Sequence, residues 1–344
     1  MTGAPLPELP TQPVTLRTRG AVDRLTATAE RAKQYAERAR SANTRRAYKA
    51  DWNHFADFCD SHGLSALPAA PDTLGLYLTA LAETGYKAST LQRRLSAIRE
   101  AHRIARHPLD TGHPAVRDVW RGIRGVIGTA KTPKLPVVGA DILAMLATLS
   151  DDSPAGWRDR AVLLLGFASA LRRSELVGLD AGPGQTPGDP AGSGWIEFCD
   201  EGIRIRLARS KTDQQGEGRA IGVPFGVHPD TCPVAAVRAW LDRAGIVHGP
   251  LFRPVGRAGT LRPDRLTDRS VALIVKRAAA AAGFDPAGYA GHSLRSGHAT
   301  TVALNDGDER AIQAQLGHAS AEMTRRYIRE ANLFRRSSAG KLGL

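Results

Sequence analysis

Ala170-Leu-Arg172-Arg-Ser-Glu175-Leu, Ser210-Lys211-Thr-Asp, Gly291-His292-Ser-Leu-Arg295, Leu316-Gly-His318 and Arg326-Tyr327-Ile328 follow one another in the second half of this 344-residue chain. Among them Arg172, Arg295, Lys211, His292, His318 and Tyr327 offer two guanidiniums, an ammonium, two imidazoles and a phenol. Breaking a phosphodiester places charge on its non-bridging oxygens and on the departing 5′ oxygen. Arg172 and Arg295 can each present forked donors to those oxygens, which the point charge of a lysine does less well. Tyr327 is the candidate nucleophile, and a phenol with a pKa of about 10 needs cations and a proton acceptor to attack at neutral pH. Taken singly these strings say little. An HxxR pair arises by chance in a chain this rich in arginine, a turn lysine is normally solvated, and a lone tyrosine is ordinarily a half-buried helix aromatic. Their conjunction points to attack on a phosphodiester by a protein hydroxyl.

The rest of the composition agrees with that chemistry without demanding it. The length suffices for two domains, each with its own core. No apolar run of about 18 residues is present, and the Pro- and Thr-rich stretch from Met1 to Gly20 lacks an apolar signal core. A cytoplasmic protein, nucleoid-associated when on DNA, is expected. Cys59, Cys199 and Cys232 have no metal-ligand spacing and are expected to be free thiols. There is no HExxH string, acidic cluster or Walker loop, so neither a metal nor a cofactor is expected. Net charge is +13, shared as +7 over residues 1–130 and +6 over the remainder. Both halves are therefore basic, as two surfaces touching a polyanion would be. GC-rich codon usage alone would also enrich a chain in arginine, so charge by itself decides nothing.

Residues 1–20 read as a disordered tail broken by Pro5, Pro7, Pro10 and Pro13. Ala21 to Ala42 has helical composition but few large apolar residues. Four helices are predicted next. Asn43 caps one that places Tyr48, Trp52, Phe55 and Cys59 on one face, and Asp72 to Thr84 forms the second. The third opens at Ser89 and buries Leu91, Leu95 and Ile98 while Arg93, Arg94 and Arg99 point elsewhere. The fourth sets Val116, Val119, Trp120, Ile123 and Ile127 on one side and Arg117, Arg121 and Arg124 in a separate stripe. One such stripe is usually a solvated face; in a compact unit with two Arg-lined helices it suits DNA grooves and phosphates. Arg45, Arg46, Lys87, Arg93, Arg94, Arg117, Arg121, Arg124, Lys131 and Lys134 are the candidate DNA contacts. The expected domains are a helical DNA-binding domain over 21–130, a linker over 131–137 and a catalytic domain over 138–344. Past the linker, Trp195–Phe198, Ile203–Leu207 and Arg219–Val223 read as short antiparallel strands and Ala181 to Gly194 as an exposed loop. Helices resume at Pro233–Ala244, Asp268–Ala282, Ser293–Leu304 and Asp308–Leu316.

The composition and order of the five strings resemble the tyrosine recombinase (phage integrase) family, over residues from about 41 to 335. Within it the likeness is greatest to Cre-type site-specific recombinases, although those carry Trp where this chain has His318, the more usual family choice. The resemblance implies a mainly α fold with a small antiparallel β-sheet in the C-terminal domain, preceded by a four- to five-helix core-binding domain. It implies catalytic roles for Arg172, Lys211, His292, Arg295, His318 and Tyr327, with Lys211 protonating the 5′ leaving oxygen. His292 is then the proton acceptor for Tyr327, His318 a donor to a non-bridging oxygen, and Glu175 a support that orients Arg172. His298 is read as structural. The implied partners are double-stranded DNA with inverted-repeat recombination sites and three further copies of the chain, in a tetramer on two sites; no membrane is involved. Two other readings stay open on sequence alone, a type IB topoisomerase-like relaxing activity and a non-catalytic DNA-binding protein on an integrase scaffold.

Overall fold

The structure, a computed structural model, describes residues 19–38, 41–130, 133–183, 192, 194–208, 218–335 and 337–342. The chain divides into two compact units after Lys131. Helices α1 (Arg19–Arg38), α2 (Ala42–Ser61), α3 (Pro71–Glu83), α4 (Ala88–Ala105) and α5 (Pro114–Ile127) build the first. Its core is a cluster around Phe55, Leu74, Tyr77, Leu78, Leu91 and Ile98, supplied by the apolar faces of α2, α3 and α4. On α1, Leu25 and Tyr35 are exposed. The expected tail over residues 1–20 lies outside the described residues as far as residue 18, and its last two residues begin α1.

Two local expectations for this unit are corrected. Ser41, not Asn43, caps α2, accepting a hydrogen bond from the Thr44 amide at 3.2 Å. Serine here has the extended backbone that an N-cap requires, whereas Asn43 already lies inside the helix. Arg94 does not point away from the core but is buried beneath Tyr86, 4.4 Å from the ring centroid. Buried Asp51 explains this, because it draws in both Arg93 (2.7 Å, a two-toothed pair) and Arg94 (3.7 Å). A guanidinium whose charge is met inside the protein has little left for a phosphate. On α5 the expected apolar face meets the core through Val116, Trp120 and Ile123, while Ile127 at its end is exposed.

The second unit follows as α6 (Gly139–Ala147), α7 (Pro154–Ser169), α8 (Arg173–Val177), β1 (Leu179–Asp180), β2 (Gly194–Cys199), β3 (Gly202–Leu207), β4 (Arg219–Pro224), α9 (Pro233–Arg243), α10 (Asp268–Ala281), α11 (Ser293–Leu304), α12 (Glu309–Leu316) and α13 (Ala321–Ala331). The sheet order is β1-β2-β3-β4. The three expected strands pair antiparallel, with Trp195 opposite Arg206 and Ile205 opposite Ile221. Ile203, Ile205 and Leu207 face the core while Arg204 and Arg206 face out. The sheet is mixed rather than purely antiparallel, because two-residue β1 adds a parallel edge against β2. Two residues are too few to carry an alternation that sequence could reveal. Most of the expected loop from Ala181 to Gly194 lies outside the described residues.

Helix α7 runs through the middle of this unit, with Ala161 to Leu165 all buried. Around it pack the sheet, Trp240 of α9, Ile274 of α10 and Leu294 of α11. From Lys134 onward the stretch expected as a linker is hydrogen-bonded to this unit: Leu135 N donates to Gly288 O and Val137 N to Ser293 O, both at 2.9 Å. Val137 lies so close to α11 that a Cβ on Gly297 would stand 1.8 Å from its carbonyl oxygen. Among the described residues no helix is long and apolar enough to cross a membrane.

Candidate active site

Helix α7 ends at Ala170, which turns the chain with a left-handed backbone (φ 53°) and delivers Arg172 to the start of α8. Glu175, in the first turn of α8, reaches back to accept from the Arg172 amide at 2.9 Å and from its guanidinium at 2.6 Å. Buried Glu175 therefore holds backbone and side chain of Arg172 together, while Arg172 keeps part of its surface open. Arg295, from α11, is 2% exposed and donates to Ala170 O at 2.7 Å and to Leu316 O at 2.6 Å. Burial, helped by the charge of Arg172, pushes its pKa down to about 10, which still leaves it charged at neutral pH.

The other end of that grip is the last turn of α12, whose carbonyls have no partner within the helix. Leu316 O receives Arg295, and Ala314 O and Gln315 O receive Arg219 at 3.2 and 3.1 Å. Cations at the negative end of a helix are favoured there. Gly317 then ends the helix with φ 60°, and a Cβ at this position would stand 2.5 Å from the Arg219 guanidinium. Glycine meets both demands, left-handed backbone and close approach. It delivers His318, whose Nδ1 lies 3.0 Å from the hydroxyl of Thr324.

Tyr327, one turn further along α13, is stacked on His318 with ring centroids 6.0 Å apart and planes 12° from parallel. Its hydroxyl is 3.0 Å from Nε2 of His292, the residue that precedes α11. Burial raises the phenol's pKa, and Arg295 and Arg326 pull the other way. His292 is shifted down by burial and then by Arg295 and Arg172. His318 is pushed down to about 4 by burial and the same two arginines. Both imidazoles are thus neutral at pH 7, able to accept or donate a proton but adding no charge. The positive potential comes from guanidiniums, and Glu175 is the acidic side chain against Arg172, 3.9 Å from Arg219. Three guanidiniums around one carboxylate leave an excess of positive charge, which an anion such as a phosphate diester could offset.

Arg172, Glu175, His292, Arg295, His318 and Tyr327 therefore meet in one place. Lys211 lies outside the described residues, on the connection between antiparallel neighbours β3 and β4. His298 donates from Nδ1 to Phe167 O at 2.9 Å. Sequence reading missed Arg219 and Thr324. A strand arginine and a helix threonine carry no motif, and only the folded contacts single them out.

The basic residues expected on DNA are spread more widely. Arg45, Arg46 and Lys87 are exposed on the first unit, Lys87 as the residue that precedes α4. Arg117 and Arg121 are exposed and share Asp118, while Arg124 lies over Trp120. Lys134 donates to Ala287 O at 2.6 Å, and Lys131 is outside the described residues.

Comparison with known proteins bears on this geometry. Residues 138–333 match the phage integrase family and residues 33–107 its N-terminal SAM-like domain. The chain is 40% identical over 318 residues to an integrase/recombinase XerD homolog of Selenomonas ruminantium, covering 91% of this chain and 89% of that protein. It is 29% identical over 297 residues to the tyrosine recombinase XerD of Rhizobium meliloti, with 85% and 86% covered. Among solved structures, the Tn1549 transposon integrase in complex with transposon right end DNA superimposes with a TM-score of 0.55 at 16% identity, over 89% of this chain and 97% of that one. A lambda integrase dimer bound to a core site gives 0.53 at 18% identity, over 88% and 93%. At these identities the structural likeness speaks for the fold, while the sequence matches span both units. The chain belongs to the phage integrase family of tyrosine recombinases.

Proposed function

We propose that this protein is a site-specific DNA recombinase that cuts and rejoins DNA through a 3′-phosphotyrosine on Tyr327. The observation that carries the reading is the 3.0 Å contact between the Tyr327 hydroxyl and neutral His292 inside a cluster of guanidiniums. In the forward step the Tyr327 oxygen attacks phosphorus and the bond from phosphorus to the 5′ oxygen breaks. The phenolic proton passes to His292, and Lys211 gives a proton to the departing 5′ oxygen. Arg172, Arg295 and His318 hold the non-bridging oxygens as charge builds on them. The phosphotyrosine ester conserves the broken bond, so a 5′ hydroxyl from a second site can reverse the step without ATP. The relatives named above are recombinases, which favours strand exchange over monomeric relaxation or binding without chemistry.

Full exchange cuts four strands with one Tyr327 per protomer, so the active form is a homotetramer on two DNA sites with inverted-repeat arms. The segment after α13 supports this. Leu333 and Phe334 are 65% and 88% exposed, although Arg335 beside them pairs with Asp306 of the same unit. An apolar pair left open on a held segment suits insertion into a neighbouring protomer. The exposed arginines of α5, with Arg45, Arg46 and Lys87, serve as phosphate contacts of the first unit.

The reaction is tested with a duplex nicked close to the cleavage point, from which the 5′ product diffuses away. A covalent protein–DNA adduct is expected, and none from Tyr327→Phe. On the same duplex Lys211→Ala should be slower by about 10²–10⁴-fold, with most of the loss recovered when sulfur replaces the 5′-bridging oxygen. An adduct from Tyr327→Phe contradicts the nucleophile; equal defects on oxygen and sulfur remove Lys211 as the acid.

A pH profile checks the base. His292 must be neutral to accept the proton, and its pKa lies below the ordinary 6.5. The second-order rate of adduct formation, which reports the free protein, should be flat from about pH 7 to 8 and fall only below 6.5. His292→Gln should be slow and lose that acid limb; a limb that survives in this variant belongs to another group.

Assembly is checked by deleting residues 330–344. Binding to a single half-site should persist while recombination between two sites is lost. Recombination at the full rate shows that the tail does not join protomers.

A further inference from the structure

We propose that Thr324 is a positioning residue that fixes the tautomer of His318, so that the imidazole carries its proton on Nε2 and offers it to a phosphate oxygen. The inference rests on the role given to His318 above and adds how that role is set.

The side chain of Thr324 is completely buried in α13, and its hydroxyl makes one hydrogen bond among the described residues, the 3.0 Å contact with Nδ1 of His318. Two arrangements fit that distance. If Nδ1 carried the proton and donated to Thr324, the threonine's own hydroxyl proton would be sealed in the protein without an acceptor, which is costly. If the hydroxyl donates to the bare Nδ1 lone pair, both groups of the pair are satisfied. The second arrangement places the ring proton on Nε2. That nitrogen has no hydrogen-bond partner among the described residues.

Other histidines of the chain show why a threonine is needed. His102 has Nδ1 2.9 Å from Ile98 O, and His298 has Nδ1 2.9 Å from Phe167 O. A carbonyl only accepts, so these rings keep their proton on Nδ1; accordingly Nε2 of His102 accepts from the Ala69 amide at 2.9 Å. A hydroxyl at the same place reverses the choice. Within the active site the two imidazoles then carry opposite tautomers, His292 with a bare Nε2 facing Tyr327 and His318 with a protonated Nε2. A ring kept neutral by burial, and then by the charges of Arg295 and Arg172, can donate only if its single proton is on the correct nitrogen.

The tautomer is read directly by two-bond ¹⁵N–¹H correlation on the full chain labelled with ¹⁵N-histidine at pH 7.5, with His318→Gln identifying the signal. Wild type and Thr324→Ser are expected to show the Nε2–H pattern. Thr324→Val, close in shape but without a hydroxyl, removes the donor that biases the ring and should show a mixture of the two patterns, and should form the nicked-duplex adduct about 10- to 100-fold more slowly, an effect at or below that of removing one oxyanion donor. Thr324→Ser should stay within about 3-fold of wild type, because it keeps the donor. An Nδ1–H pattern in the wild type overturns the inference whether or not the valine variant folds. So does an unchanged cleavage rate in Thr324→Val. Wild-type cleavage by His318→Gln overturns it at a different level, by removing His318 from the reaction while the spectra still report which nitrogen holds the proton.

Discussion

A single buried guanidinium, that of Arg295, is tied to the ends of two helices that are far apart in sequence. It takes one hydrogen bond from its place on α11 to Ala170 O, at the corner between α7 and α8, and another to Leu316 O, at the end of α12. One corner leads into Arg172 and Glu175; the other leads through Gly317 into His318 and on to Tyr327. Burying a charge is expensive unless its donors are used, and backbone carbonyls that a helix end leaves unpaired are suitable acceptors. The same contact that satisfies the charge thus fixes the distance between the two halves of the site. Ala170 contributes by accepting a left-handed backbone that a residue with a Cβ adopts at a cost of about 1–2 kcal/mol.

Electrostatics follow from that packing. Arg172, Arg219 and Arg295 gather around one carboxylate, Glu175, and burial, with the field they leave unbalanced, lowers the pKa of His292, Arg295 and His318. His292 and His318 lose their protons more easily than free histidines, while burial keeps the Tyr327 phenol protonated. On the proposed mechanism the resting site therefore holds a protonated phenol beside its acceptor. A bound phosphodiester would complete the charge balance, and the chemistry would wait for it.

Much of this was legible in the sequence, for identifiable reasons. Helices with one apolar face, such as α3 and α4, announce themselves by their period, as do the alternating Ile203, Ile205 and Leu207 of β3. Helix α7 does not, because Ala161 to Leu165 are buried on every side and leave no polar face to mark a period. The six residues with motif-like surroundings could be named from their strings. Arg94 was misjudged because no local pattern shows that Asp51, more than forty residues earlier, would draw it inward. Arg219 and Thr324 were invisible for the same reason, since their meaning lies in partners supplied by other turns of the chain.

The joint made by Arg295 is open to direct measurement by hydrogen–deuterium exchange on Arg295→Met, which keeps much of the side-chain volume but leaves Ala170 O and Leu316 O without a donor. A buried carbonyl so stranded costs about 1–3 kcal/mol, and about 1.4 kcal/mol of lost local stability is a tenfold change in opening. Peptides covering Ala170–Val177 and Ile312–Tyr327 should both exchange about tenfold faster or more, while those from the first unit are unchanged. Unaltered exchange in both segments would mean that other contacts hold the two halves together and that Arg295 serves the phosphate alone.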